Sequence, residues 1–228
     1  MDSILPILVV SATESECAPT LREMTGCKII SSGLYSGIVC EQLIEVLVTG
    51  IGSVAATFRL TQTLMQRRYS HAISIGIAGS FSEDIPIGET VQITEDCFAD
   101  LGIDNNGEFL SLREAGLMMS DDFDSDIIIN PSPALSFHGR LRGITVQTAS
   151  GSKNRIDELV ARFRPQVETM ENAAFFYVCH KMQIQYASFR AISNRVEPRN
   201  RANWQTELAI KSMNKTLKQI IRESKNKL

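Results

Sequence analysis

Short apolar segments alternate along this chain with segments of helical periodicity, and this alternation constrains the fold more than any other feature. The predicted strands are 7–10, 43–49, 72–77, 90–98, 143–148, a short one before Met170, and 185–193. The predicted helices are 14–24, a stretch from the N-cap Ser53 to Arg68, 155–163, 171–182, and 202 to the C-terminus. Strands that alternate with helices indicate a mostly parallel sheet covered on both faces.

The length favours a single domain. A chain of 228 residues can form one α/β core, and the sequence contains no linker-like boundary, repeat or low-complexity tract. The segment 100–142 is polar and carries turn residues such as Asn105-Asn106-Gly107, so it predicts turns and excursions from the sheet. We therefore expect residues 1–228 to form one three-layer α/β sandwich, with helices flanking a central mixed, mostly parallel sheet.

Charge and cysteine content exclude several classes of protein. The net charge is −3 and the basic residues are dispersed, so we expect no nucleic-acid partner. The 5 cysteines, an odd number without CxxC spacing, indicate reduced thiols. The apolar run 4–10 lacks a basic start and is too short to span a membrane. These features predict a cytoplasmic protein that does not act at a membrane.

Metal and cofactor motifs are missing from the sequence. The histidines, His71, His138 and His180, have no metal-ligand spacing with cysteine or carboxylate residues. Neither a Walker motif nor a G-x-S-x-G elbow occurs. We therefore expect chemistry that needs no metal and no cofactor.

Small residues follow two of the predicted strands. Gly50-Ile51-Gly52 comes after one strand and Ala78-Gly79 after the next. Open α/β sheets bind ligands beyond the carboxyl ends of their strands, and glycine lets backbone groups approach a flat ligand closely. Tight strand-to-helix turns explain either pair equally simply, so these residues alone leave both interpretations open.

Two acidic segments are candidates for the chemistry. Glu14 and Glu16 follow the first strand, where a carboxylate can hold and deprotonate a water, although two solvated first-turn charges are the simpler interpretation. Met170-Glu171 opens a helix of small and aromatic residues. A thioether packs against a sugar face and a carboxylate accepts bonds from vicinal hydroxyls. The alternative is a core methionine beside an exposed first-turn acid.

The last predicted strand ends in Arg190-Ala191-Ile192-Ser193-Asn194. In an extended segment Arg190 and Asn194, four residues apart, are expected on the same side. An asparagine both donates and accepts hydrogen bonds, as the edge of a nucleobase requires. An asparagine that caps a turn is the alternative.

Together these segments resemble the nucleoside phosphorylase superfamily, and within it the hydrolase branch. The resemblance covers nearly the whole chain, and its markers occur in the family's order: 12–16, 49–56, 76–79, Met170-Glu171 and 190–194. It implies that Glu16 orients the attacking water and that Arg190 helps to hold it. It also implies that Ala78 and Gly79 line the base pocket, that Met170 and Glu171 hold the ribose, and that Ser193 and Asn194 lie beside the imidazole edge of the purine.

Three departures separate the chain from the methylthioadenosine/S-adenosylhomocysteine nucleosidases of that branch. Those enzymes have serine at the position of Ile77, an aromatic base-stacking residue near 150–154, and aspartate at the position of Asn194. A protonated aspartate suits adenine, whereas the amide of Asn194 can donate to O6 and accept from N7–H of a 6-oxopurine. Asn194 therefore favours hypoxanthine or guanine as the leaving base, although a flipped amide still pairs with adenine.

Within the hydrolase branch the chain is most similar to the futalosine hydrolases, in 167–179, 190–200 and 99–102. This implies release of hypoxanthine from futalosine, in an alternative route to menaquinone. A methylthioadenosine/S-adenosylhomocysteine nucleosidase and a non-catalytic nucleoside-binding protein are the alternatives. A phosphorylase is disfavoured because 53–56 offers no cation for phosphate, and Arg22 and Arg59 lie in predicted helices.

The remaining expectations concern the substrate tail and the partners. The tail needs an apolar pocket and a cation, for which Phe109, Arg113, Phe137 and Arg140 are candidates. The expected partner is a small purine nucleoside, and the resemblance implies a homodimer.

Overall fold

One sheet runs through the structure, a computed structural model that describes residues 5–118, 125–130 and 141–225. Its strands, with a separate hairpin of β7 and β8, are β1 Ile7–Ser11, β2 Thr25–Ser31, β3 Leu34–Val39, β4 Gln42–Val48, β5 Ala72–Ser80, β6 Thr90–Asp96, β7 Gly102–Asn105, β8 Glu108–Ser111, β9 Ile128–Ile129, β10 Leu141–Thr145, β11 Val167–Thr169 and β12 Tyr186–Arg195. The helices are α1 Glu14–Glu23, α2 Ser53–Gln66, α3 Lys153–Phe163, α4 Asn172–Lys181 and α5 Thr206–Lys225, with a 3₁₀ turn at Arg201–Asn203.

The strand order is β11-β10-β6-β12-β5-β1-β4-β3-β2, with β9 added beside β6. The centre, from β4 through β1 and β5 to β12, is parallel, as the alternation of strands and helices predicts. Strand β11 also pairs with β5, in the antiparallel sense. A closed ring of five strands therefore forms, in the order β5, β12, β6, β10 and β11. The carboxyl ends of β5 and β12 meet β11 at the rim of this ring.

The helices form two layers, one on each face of the sheet. Even-numbered residues of β1, such as Leu8, pack with α2 and α4 in one apolar core that contains Leu60 and Phe175. Odd-numbered residues, such as Val9, pack with α1 and α5 in a second core that contains Met213. This alternation across a strand produces the predicted three-layer α/β sandwich.

The sequence interpretation missed one hairpin and three strands, of which β9 has only two residues. All seven residues of β2 are exposed, so this edge strand carries no apolar alternation to reveal it. Strand β3 was not predicted either. In the irregular region, β7 and β8 pair across Asn106-Gly107, where both φ angles are positive (56° and 90°), as a two-residue type I′ hairpin turn requires. Among the described residues, no helix is long and apolar enough to cross a membrane.

Candidate active site

A cleft of about 280 Å³ opens at the carboxyl ends of the central strands. It collects residues from each of the motifs that the sequence singles out, although these are far apart along the chain. The predicted site residues on its wall are Glu16, Ala78, Gly79, Met170, Glu171, Ser193 and Asn194. Arg190 lies behind this wall, in a small adjoining space.

Glu16 is buried because helix α1 begins with a capping box. Thr13 is the N-cap, and both its backbone N–H (2.9 Å) and its hydroxyl (2.7 Å) donate to Oε2 of Glu16. The other carboxylate oxygen, Oε1, accepts from the backbone N–H of Ile77 at 3.0 Å. The cap thus holds the Glu16 carboxylate across the end of β5, whereas Glu14 is exposed on the same helical turn.

A space of about 10 Å³, the size of one water molecule, lies between Glu16, Glu171 and Arg190. Gly76 keeps it open, because a Cβ at this position would lie 2.9 Å from Oε1 of Glu16 and 3.5 Å from Nε of Arg190. Arg190 is only 2% exposed. Burial lowers its pKa, and the negative charges of Glu171, Glu16 and Asp96 oppose that change.

A chain of buried hydrogen bonds holds the guanidinium of Arg190. Its nitrogens donate to the hydroxyls of Ser188 and Ser74, each at 3.0 Å. Ser188 in turn donates to the side-chain oxygen of Asn172, whose amide donates to Asp96 at 2.7 Å. Burial raises the pKa of Asp96 to about 7, although its bonds from Asn172 and Thr145 and the charge of Arg190 lower it. The position of Arg190 is therefore tied to β6 and to the first residue of α4.

Met170 and Glu171 lie between β11 and α4, at the opposite wall of the cleft. The backbone N–H of Gly52 donates to Oε1 of Glu171 at 2.7 Å. Burial raises the pKa of Glu171, while the Gly52 N–H and Arg190 oppose the rise. Ser53 was predicted as the N-cap of α2, which is wrong: Gly52 is the N-cap, and the Ser53 hydroxyl donates to the Met170 carbonyl at 3.1 Å.

Ser193 and Asn194 lie at a β-bulge near the end of β12. Arg190 pairs with Gly76 but Asn194 pairs with Gly79, so the register shifts by one residue between them. The prediction that Arg190 and Asn194 project to the same side is therefore wrong. The extra residue directs Asn194 to the opposite face of the sheet, the face that α5 covers.

The amide of Asn194 is oriented by its neighbours in the chain. The Ser193 hydroxyl donates to Oδ1 at 2.7 Å, and Nδ2 donates to the Arg195 carbonyl at 2.8 Å. An amide has two donor hydrogens and two acceptor lone pairs. These bonds therefore leave one donor and one acceptor for a ligand.

Sequence interpretation did not assign three further residues of the cleft wall: Ser150, Glu168 and Trp204. Trp204 follows the 3₁₀ turn, and it was predicted only as an apolar position of the closing helix. It supplies the one aromatic side chain among the described residues of the cleft wall, in place of an aromatic residue near 150–154.

Of the residues predicted for the substrate tail, Phe109 and Arg113 do not reach the cleft within this chain. Phe109 packs against Phe163, with ring centroids 6.3 Å apart, and Arg113 lies 3.9 Å from Asp126. Neither residue is on the cleft wall. Phe137 and Arg140 lie outside the described residues.

Comparisons with known proteins give the family. The model of the Phosphorylase superfamily matches residues 6–223. A futalosine hydrolase of Acidothermus cellulolyticus is 30% identical over 90% of this chain and 86% of its own. A 5′-methylthioadenosine/S-adenosylhomocysteine nucleosidase of Glaesserella parasuis is 28% identical over 77% of this chain and 76% of its own. The chain belongs to the Phosphorylase superfamily.

A solved structure supports the same fold. The futalosine hydrolase of Helicobacter pylori superposes with a TM-score of 0.83 at 18% identity, covering 98% of this chain and all of the other. The predicted superfamily, its fold and the enzyme class, a nucleosidase, are confirmed. These relatives are either futalosine hydrolases or methylthioadenosine/S-adenosylhomocysteine nucleosidases. The choice between these substrates therefore depends on the chemistry of the cleft.

Proposed function

We propose that this protein hydrolyses the N-glycosidic bond of futalosine, releasing hypoxanthine and dehypoxanthinyl futalosine for menaquinone biosynthesis. The observation that carries the proposal is Asn194 on the cleft wall, with one donor and one acceptor left after its bonds to Ser193 and Arg195. The donor fits O6 of hypoxanthine and the acceptor fits N7–H. Similarity to futalosine hydrolases at up to 30% identity supports the same substrate.

Glu16 and Arg190 are proposed to bind the attacking water in the small space between them. Glu16 accepts a proton from this water while the water oxygen bonds to C1′ of the ribose. The C1′–N9 bond breaks, and its electrons pass to the base, which takes up a proton from solvent. Asn194 stabilises the departing base by hydrogen bonds, because an amide cannot act as a general acid.

The ribose is proposed to lie between Met170 and Glu171. Met170 packs against the sugar face, and the carboxylate of Glu171, held by the Gly52 N–H, accepts bonds from the ribose hydroxyls. Ala78 and Gly79 form the wall beside the base, together with Ser193.

Hydrolysis is favoured over phosphorolysis by the charge of the cleft. Of the described residues that line it, none is lysine or arginine. Arg59 instead donates to the Ser32 carbonyl, and Arg22 is exposed on α1. A phosphate dianion in the cleft would therefore meet carboxylates, and the buried Arg190 lies behind the wall beside a space of about 10 Å³, which is too small for phosphate.

Product analysis tests the substrate. We expect rapid hypoxanthine release from futalosine, slower release from inosine, and the same rates with and without phosphate. The second candidate, a methylthioadenosine/S-adenosylhomocysteine nucleosidase, is favoured by the relative at 28% identity. Adenine release from methylthioadenosine or adenosylhomocysteine, without action on futalosine, would establish that candidate instead. Strict dependence on phosphate would refute hydrolysis.

A homodimer is also proposed, and the exposed apolar face of α2 supports it. Val54, Phe58 and Met65 are 81%, 63% and 74% exposed along one side of this helix. We expect light scattering to give the mass of a dimer and Phe58→Lys to give a monomer. Val160→Lys, at a partly exposed apolar position of α3, is the matched control and should leave the dimer intact. A monomeric wild-type protein would contradict the proposal.

A further inference from the structure

Glu168 is a buried carboxylate on the cleft wall to which the proposed reaction assigns no role. It is 8% exposed, in the middle of β11. Its Oε1 accepts from the backbone N–H of Ser150 at 2.9 Å, and its Oε2 accepts from the Ser150 hydroxyl at 2.5 Å. Burying a carboxylate is costly, and a neutral side chain would suffice to tie Ser150 to the strand. The Ser150 bonds and the charge of Arg155 stabilise this carboxylate, and each of its oxygens keeps a lone pair that can accept from a ligand.

The strand register places Glu168 opposite Asn194 across a glycine. Glu168 pairs with Gly79 in the contact of β11 with β5, and Asn194 pairs with Gly79 in the contact of β12 with β5. Residues in register on neighbouring strands carry their side chains on the same face. A carboxylate and an amide thus flank Gly79, with their Cα atoms roughly 9.5 Å apart, which is two strand spacings.

Gly79 lets Val196 and Asn194 pack closely against the backbone of β5. A Cβ at this position would lie 2.8 Å from Val196 Cγ2 and 3.3 Å from Asn194 Nδ2, so any larger residue would displace them. Glu168 and Asn194 both line the cleft of about 280 Å³. The two side chains therefore suit a heterocycle that presents hydrogen-bonding groups on two edges.

A 6-oxopurine presents the groups that match these two side chains. Beyond O6 and N7, which Asn194 is proposed to bind, its N1–H is a donor. Adenine presents N1 as an acceptor instead. An ionised carboxylate only accepts hydrogen bonds, so it pairs with N1–H and repels the lone pair of adenine N1.

We propose that Glu168 accepts a hydrogen bond from N1–H of a 6-oxopurine and so determines the preference for hypoxanthine over adenine. This inference rests on the proposed function, because it takes Asn194 to bind the O6 and N7 side of the base. Ser150 positions the carboxylate, and Glu168 is the second specificity-determining residue of the base site.

Binding of the free bases to Glu168→Gln tests the inference without turnover. We expect calorimetry to give a hypoxanthine Kd that rises roughly 10- to 100-fold, the effect of losing a hydrogen bond to a charged group. The adenine Kd should fall, because the glutamine amide can donate to N1. Ser150→Ala is the matched control: it removes the hydroxyl bond to Oε2 but keeps the carboxylate and its bond from the Ser150 N–H, so the ratio of the two Kd values should stay close to that of the wild type.

The outcomes separate this inference from the proposed function. An unchanged ratio of the two Kd values in Glu168→Gln would show that Glu168 only holds the 149–152 segment, and would refute the inference even if futalosine is cleaved. A changed ratio in a protein that cleaves no nucleoside would refute the proposed function and leave the base preference standing. Thermal melting of each variant confirms that it is folded.

Discussion

Replacement of Glu16 by glutamine should lower the rate of base release by about 10²- to 10⁴-fold, the range for loss of a general base. Glutamine has nearly the same shape, and its oxygen can still accept from the Thr13 N–H, so the capping box of α1 is retained while the bond from the Ile77 N–H is lost. It cannot take a proton from water. The measurement is kcat for hypoxanthine release at saturating futalosine, together with Kd for the nucleoside.

The Kd should change little, because Glu16 is proposed to bind the attacking water and not the base. Glu14→Gln is the matched control, since Glu14 is exposed on the same turn of α1 and should keep normal turnover. Normal turnover by Glu16→Gln would refute its role in activating water. An equal loss in both variants would mean that the charge of the helix terminus matters, and not the Glu16 carboxylate itself.

Replacement of Asn194 by aspartate should weaken the preference for a 6-oxopurine base. An ionised aspartate repels O6 and loses the donor to it, so kcat/KM for futalosine should fall about 10- to 100-fold, equivalent to about 1–3 kcal/mol. A protonated aspartate can donate to N7 of adenine and accept from N6, so adenine release from methylthioadenosine should rise. Parallel assays of the two bases measure both changes.

Asn154→Asp provides the charge-matched control, because Asn154 is exposed in the first turn of α3, away from the cleft. It should leave both rates unchanged. An Asn194→Asp variant that still prefers futalosine by the wild-type factor would remove the main argument for a 6-oxopurine. The proposal of futalosine as the substrate would then depend on Glu168 and on the similarity to futalosine hydrolases.

The sequence was sufficient for the elements that are buried on both faces. Continuous apolar runs predict β1, β4 and β5, because a central parallel strand must be apolar on both sides. The edge strand β2 is exposed and need not be apolar, so its sequence does not predict a strand. The hairpin of β7 and β8 is visible only as its turn, since strands of four residues carry too little pattern.

The cleft shows a similar division. The segments around Glu16, Gly79 and Met170 were predicted to form one site, and the structure brings them together around one cleft. The sequence did not indicate that Trp204 lines the cleft, because an apolar residue at this position also fits the periodicity of the predicted closing helix. Nor could the chain reveal that Glu168 faces Asn194, because that arrangement depends on how β11 and β12 pair with β5.

The bulge in β12 has a consequence for how this enzyme can change. Arg190, proposed to hold the water, lies beside residues of α2 and α4, whereas Asn194, proposed to bind the base, lies on the side of the sheet that α5 covers. The side chains at the two ends of this stretch of β12 therefore pack on opposite sides of the sheet. A substitution at position 194 can alter the leaving group while the bonds of Arg190 to Ser74 and Ser188 stay intact. Loss of Ser193 would remove the bulge and still leave Asn194 paired with Gly79, so it would cost the amide its bond from the Ser193 hydroxyl and not its place on the α5 side.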